Sequence, residues 1–226
     1  MFESRYSKVL TVILIIIIIA IVGLLGFLAY DYIKKSNNTK QASDFVENYE
    51  GDISTGDNSE QENEIGNVVL DESLQEEPSQ NTSGNSRKKK YKGYTVAGTI
   101  KIPSINVEYP ILEEITTSSL DLAVAVIHPG DGGDRLNKPG NVVIAGHNYR
   151  NGTLFSNVKK LSNGAKIYIT DYTGKTLTYE VYNKFEANEI DTSFYDRDTN
   201  GLAEVTLSTC TDASNDIRTI VFAKQI

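Results

Sequence analysis

The chain is expected to fold as a mainly β domain, a barrel or sandwich, held on one membrane-spanning helix by a polar tether. Three observations carry this expectation: an uncharged Ile-rich run near the N-terminus, an acidic stretch almost without aromatic residues, and a series of short β-branched and aromatic segments from Tyr91 to Ile226.

Residues 9–30 hold about twenty consecutive apolar or small residues, enough to cross a hydrocarbon layer roughly 30 Å thick as a helix. A cleaved signal peptide has a shorter apolar core and a small-residue cleavage site, which the Ala29-Tyr30-Asp31 end does not supply. Arg5 and Lys8 before the span are matched by Lys34, Lys35 and Lys40 after it, so charge leaves the orientation open. A short tail, residues 1–8, precedes the span and almost all of the chain follows it. The economical arrangement is a single-pass anchor in the cell membrane, with its N-terminus in the cytoplasm and the larger part extracellular.

Residues 31–90 are expected to form a flexible acidic linker. Between Asp44 and Glu77 acidic residues recur with Ser, Asn, Gln and Gly, a composition that buries too little apolar surface to offset chain entropy. The linker ends in the basic cluster Arg87-Lys-Lys-Lys90, followed by Lys92, which either solvates a boundary or meets anionic headgroups or wall polymers. The net charge of −8 excludes nucleic acid as a partner, since no basic face is available to replace counterions along a phosphate backbone.

Residues 91–226 are long enough for one domain. Strands are expected at Gly98–Ile102, Val107–Ile111, Asn141–Ala145, Lys166–Asp171, Thr176–Phe185, Glu204–Cys210 and Ile217–Ala223, where β-branched and aromatic residues dominate. Asp171-Tyr-Thr-Gly174 reads as a hairpin turn between two of them. Short helices are expected at Thr117–Ala125, with Thr117 as N-cap, and at Thr153–Leu161. Seven or eight strands at this spacing point to a mainly antiparallel sheet.

Cys210 is the only cysteine, so it has no intramolecular disulfide partner. The two-residue period of a strand puts Val205, Leu207 and Thr209 on one face and Thr206, Ser208 and Cys210 on the other. Cys210 thus falls on the more polar face at a strand end, where a thiol is accessible. A hairpin centred near Ser214 would set Arg218 directly across from it. A guanidinium there favours the thiolate and holds an oxyanion developing on an attacked carbonyl. Of the two histidines, His147 follows the apolar strand Asn141–Ala145 through Gly146 and is the acid/base candidate. His128, before Pro129-Gly130 and with no apolar strand to aim it, is read as a turn histidine. Cys, His and Arg together suit acyl transfer through a thioester.

These residues resemble the sortases, membrane-anchored cysteine transpeptidases of Gram-positive bacteria. The resemblance runs from about Gly98 to the C-terminus. It rests on Gly98-Thr-Ile-Lys-Ile-Pro-Ser-Ile105, Tyr109-Pro-Ile-Leu112, Gly140-Asn-Val-Val-Ile-Ala-Gly-His147 and Thr206-Leu-Ser-Thr-Cys210 followed by Arg218. It implies a closed eight-stranded β-barrel with short helices. It also implies Cys210 as nucleophile, His147 as general acid/base and Arg218 as oxyanion stabiliser, with Thr209, Ser208 and Asn148 contacting substrate. The implied partners are secreted proteins with a C-terminal sorting signal similar to Leu-Pro-X-Thr-Gly, and an amine acceptor on a peptidoglycan precursor or a pilin. Within the family, Thr206–Cys210, His147-Asn148 and Ala223–Ile226 look like class B, whereas the short connection from Phe185 to Ala203 is closer to class A or D. No Asp-Pro-aromatic lid of a class C enzyme is seen in the tether.

No cofactor is expected. Some class A enzymes use calcium, but Glu113, Glu114, Glu186 and Glu189 lack the spacing of a calcium loop. The alternative to an enzyme is a catalytically silent anchored β-domain that binds a wall polymer or surface protein. An L,D-transpeptidase would place His-x-Gly or Ser-x-Gly before its cysteine, where this chain has Ser-Thr.

Overall fold

Among the described residues nine strands form where β-branched and aromatic residues alternate, and eight of them close on themselves. The structure, a computed structural model, describes residues 3–54, 88–129 and 132–226. The strands are β1 (Lys90–Tyr91), β2 (Tyr94–Ile102), β3 (Val107–Leu112), β4 (Val124–His128), β5 (Gly140–Ala145), β6 (Lys166–Asp171), β7 (Thr176–Asn188), β8 (Ala203–Cys210) and β9 (Ile217–Gln225). Their order is β1-β2-β3-β4-β5-β8-β9-β7-β6, and an added β2–β6 pairing closes strands β2 to β9 into a barrel. The expected closed eight-stranded, mainly β fold is therefore present, and β1 is a two-residue extension on β2. Two of the barrel pairings, β3–β4 and β5–β8, are parallel; the rest are antiparallel.

Closure leaves no free edge among these strands, and side chains fill the inside. Ile100, Ile111, Ile144, Ile169, Leu207 and Val221 are buried in one core with Phe155. The Asp171–Gly174 hairpin turn forms as expected: Gly174 takes the left-handed conformation (φ 89°), and Asp171 Oδ1 accepts hydrogen bonds from Thr173 and Lys175 backbone N–H groups.

Three expectations are corrected. The helix expected at Thr117–Ala125 is only the single turn α2 (Thr117–Leu120), capped by Thr116 rather than Thr117. Thr116 and Ser119 exchange side-chain to backbone hydrogen bonds of 3.0 and 2.8 Å. The β-branched run after it becomes β4, which pairs with β3 on one side and β5 on the other. This strand carries His128 at its end, so His128 is not a loop residue. The helix expected at Thr153–Leu161 shrinks to a 3₁₀ turn at Val158–Lys160, because Gly152 (φ 87°) and Leu154 (φ 48°) are left-handed and interrupt it.

The third correction concerns the linker. Helix α1 spans Glu3–Ser54, containing the 23-residue apolar segment Lys8–Tyr30 and continuing through residues 31–54. Ala42, Val46 and Tyr49, spaced four and three apart, are buried on one face, and Phe45 stacks edge-on against Tyr91 at 5.0 Å. That face packs on β3. Polar contacts seal the edges: Ser43 donates to Glu108 at 2.7 Å, and Lys101 bridges Glu50 (2.8 Å) and Glu108 (3.2 Å). Burial opposes the charge on Lys101, but these two carboxylates more than offset it and raise its pKa. The rest of the expected linker, to residue 87, lies outside the described residues.

Most of the basic cluster is engaged by the fold. Lys88 pairs with Glu113 and Asp134 and lies over Tyr172; Lys89 lies over Tyr49, and Lys92 over Tyr91.

Candidate active site

Cys210 ends β8, and the antiparallel register places Arg218 of β9 opposite it, as the hairpin centred on Ser214 requires. Arg218 Nη1 donates to Cys210 Sγ at 3.3 Å, and the same nitrogen donates to the Asn215 carbonyl. Nη2 donates to Glu189 Oε2 at 2.9 Å. The planar guanidinium is thus held on three sides with one N–H aimed at the sulfur, an orientation that an ammonium on a flexible stem does not reproduce.

The other residues of the Cys210 face are buried rather than open to solvent. Thr206 and Ser208 are buried beneath the connection between β7 and β8. Arg197 of that connection donates to Thr206 Oγ1 (2.8 Å) and to Glu204 Oε2 (2.6 and 3.0 Å), and its guanidinium lies 3.9 Å from the Phe222 ring centre. Thr206 donates in turn to Asn141 Oδ1 at 2.9 Å. The alternation is real, but Thr206 is satisfied by a second layer and Ser208 is buried, while Cys210 at the strand end is only partly buried.

His147 follows β5, whose parallel register with β8 sets Ala145 beside Ser208. Gly146 is required here by packing. A Cβ at this position would lie 2.8 Å from the Phe155 ring and 2.9 Å from Val124 Cγ1. Without a side chain the backbone passes close to Phe155, whose N–H donates to the His147 carbonyl at 3.1 Å. The imidazole Nε2 lies 3.6 Å from Asp121 Oδ1, and the Tyr149 hydroxyl donates to that same oxygen. The His147 and Tyr149 rings are 5.1 Å apart. Burial, and the hydrogen bond to Asp121, push the Tyr149 hydroxyl pKa well up, so it stays a donor.

Cys210, His147 and Arg218 line one groove of about 250 Å³, together with Ser208 and Thr209. The apolar walls include Ile115, Leu120, Ile127 and Phe194. Thr209 spends its hydroxyl on the Gly146 carbonyl at 2.7 Å, tying the nucleophile strand to the histidine turn. Asn148 does not line the groove; its amide donates to the Cys210 carbonyl and to Asp212 Oδ1, both at 2.9 Å. His128 also lies outside the lining, bound to Asp196 at 2.8 Å and stacked on Tyr195. Among the described residues no hydrogen bond joins His147 to Cys210; the two face a common space in which a reacting carbonyl would sit. Asp121, Tyr149 and Glu189 are functional candidates that the sequence reading missed, since only the barrel brings them beside His147 and Arg218. The described residues contain no cluster of three or more potential metal ligands. A thiol, an imidazole and a guanidinium around one groove can perform acyl transfer.

Comparison with known proteins points to one family. A family model described as Sortase domain matches residues 100–226. Over 130 residues, 57% of the chain, the sequence is 31% identical to Sortase A of Bacillus anthracis, and the match covers 58% of that protein. Sortase A from Corynebacterium diphtheriae superposes with a TM-score of 0.53 at 31% identity, covering 59% of this chain and 61% of that one. Sortase C-1 from Actinomyces oris gives 0.52 at 29% identity, with coverage of 58% and 74%. The chain thus spans less than two thirds of the length of the first two.

Proposed function

The chain belongs to the sortase family, and from that premise we propose that it is a membrane-anchored cysteine transpeptidase acting on proteins that end in an LPXTG-like sorting signal. The observation that carries the proposal is the Arg218 N–H held 3.3 Å from the lone thiol, in a groove shared with His147.

In the first half-reaction the Cys210 thiolate attacks the threonine carbonyl carbon of the signal, and the carbonyl oxygen becomes an oxyanion. Arg218 donates to that oxygen, using the guanidinium already positioned beside the sulfur. The intermediate collapses as His147 gives its proton to the departing amine, leaving a thioester on Sγ. In the second half-reaction His147 removes a proton from the acceptor amine, the amine attacks the thioester, and the thiolate is released. Asp121, 3.6 Å from Nε2, orients the ring for its part in both steps. Thr209 and Ser208 form groove wall, while Asn148 fixes the strand end through the Cys210 carbonyl. Every step moves a proton or an acyl group between side chains and substrate, so no cofactor is proposed.

The acceptor is an amine of a peptidoglycan precursor or a pilin, and α1 holds the enzyme in the membrane with the barrel outside. Incubating the purified protein with Leu-Pro-X-Thr-Gly and Asn-Pro-X-Thr peptides tests the proposal by mass spectrometry. A thioester adduct on Cys210, absent in Cys210→Ala, is expected. If no adduct or cleavage appears and native Cys210 resists iodoacetamide, a non-catalytic anchored binding domain replaces this reading.

A further inference from the structure

The apolar span of α1 ends at Tyr30, and the helix continues to Ser54. At 1.5 Å per residue, Tyr32 lies roughly 3 Å and Ser36 roughly 9 Å past the end of the span. The stretch from Thr39 to Glu50 lies roughly 14–30 Å past it. The barrel meets α1 at both levels. High on the helix, Ala42, Val46 and Tyr49 are buried, and Glu50 holds Lys101. Asn151 and Thr153 share a pocket of about 640 Å³ that runs along the helix from Leu28 and Tyr32, at the end of the span, up to Ser43 and Asp44.

Leu28 belongs to the last turn of the apolar span. The pocket therefore begins at the depth where hydrocarbon gives way to headgroups, a layer about 5–8 Å thick on each side, and the loop lines that same pocket. Its composition suits that depth. Tyr149 is 45% exposed, Arg150 and Asn151 are exposed, and positions 34 and 35 on the adjoining helix are lysines. Tyrosine, with an apolar ring and a polar tip, favours the interface, and cations there meet lipid phosphates.

We propose that Tyr149–Thr153 is a membrane-contacting loop seated in the headgroup layer, so that the groove containing His147 opens at the bilayer surface. This rests on the anchoring part of the function proposed above and on none of its chemistry. His147 lies two residues before the loop, and Asp121 joins the two through its contacts to His147 and Tyr149. The partner is the lipid surface itself, and the consequence is access to substrates that are held in that surface.

The chain contains no tryptophan, so one introduced indole reports alone. The full chain is reconstituted in phosphatidylcholine–phosphatidylglycerol nanodiscs containing a lipid spin-labelled near its headgroup, in three versions. Phe27→Trp reports on the span, Asn151→Trp on the loop, and Tyr172→Trp on the distal hairpin beyond Glu50. The expected result is quenching of Asn151→Trp comparable to Phe27→Trp and several-fold stronger than Tyr172→Trp. Insertion of four glycines between Asn37 and Asn38 should lower the Asn151→Trp signal to the Tyr172→Trp level and leave Phe27→Trp unchanged. Asn151 accepts hydrogen bonds from Thr153, so the wild-type chain supplies a second measurement. Paramagnetic broadening of the backbone amides of residues 149–153 by the same lipid is expected to exceed that of residues 171–174. Phe27→Trp quenched while residue 151 and the wild-type amides behave like the distal hairpin overturns the proposal. An unquenched Phe27→Trp overturns the anchoring as well, which keeps the two failures distinct.

Discussion

Replacing Arg218 by alanine removes the one donor aimed at the sulfur among the described residues. Loss of a single oxyanion donor costs about 2.7–4 kcal/mol, or roughly 10²–10³ in kcat. The guanidinium is 26% exposed, and water partly replaces its field, so the lower end, about a hundredfold, is expected. Fold stability should barely respond. The Arg218–Glu189 pair is 26% and 43% exposed, and such pairs contribute about 0–1 kcal/mol. Arg218→Lys should recover little, because one ammonium cannot serve Sγ, the Asn215 carbonyl and Glu189 in a single plane. Single-turnover acylation with a quenched fluorescent signal peptide measures the chemical step, and iodoacetamide alkylation of Cys210 measures thiolate reactivity alone. Acylation should fall far more than alkylation. Activity within tenfold of wild type, or equal losses in both assays, would refute the oxyanion role.

Gly146→Ala should destabilise the domain by about 1–3 kcal/mol, the usual cost of overpacking, because its methyl would meet Phe155 and Val124 at 2.8–2.9 Å. The same shift displaces His147, so thermal denaturation and turnover should both decline, and turnover the more. Asp121→Asn keeps the hydrogen bond from Tyr149 but removes the charge beside His147; kcat should drop roughly tenfold, a part of the 10²–10⁴ that acid–base catalysis contributes. KM should stay nearly constant, and steady-state kinetics separates the two. Burial, with the nearby Asp171 and Glu113 carboxylates adding to it, pushes the Tyr49 hydroxyl up to about 12 from 10.0. The unfolded chain therefore loses this proton first, so the contribution of Tyr49 to docking is complete below about pH 10 and vanishes as pH rises through about 12. Limited proteolysis within residues 31–54 should accelerate across that window, while Tyr49→Phe does not show it.

The parts of this molecule legible in its sequence are those whose partners lie close along the chain. The β8–β9 hairpin is one: alternation gave each residue a face, and a turn centred on Ser214 set Cys210 against Arg218. β4 was missed, with Val124 and Ala125 taken into a helix and His128 into a loop, because its strand character comes from distant partners, Ile111 on one side and Ile144 on the other. The outer half of α1 was missed because Ala42, Phe45, Val46 and Tyr49 stand in a polar, acidic background. Their helical spacing was nonetheless present, and it was the signal that the average composition concealed. Asp121 and Glu189 carry no local mark at all. Each is one acidic residue among thirty until the barrel brings it to a histidine or an arginine.

The β8–β9 register also bears on the order in which the site assembles. Cys210 and Arg218 are joined by a short turn, and closing so small a loop costs little chain entropy. His147 reaches them through the parallel β5–β8 pairing and the contacts beside it, across about sixty intervening residues, a contact of high sequence separation that is expected to form late in folding. An unfinished molecule thus carries a thiol and its guanidinium before it carries a proton donor. It is open to alkylation or oxidation at a stage when it cannot yet turn over substrate, and the hazard ends when the barrel closes.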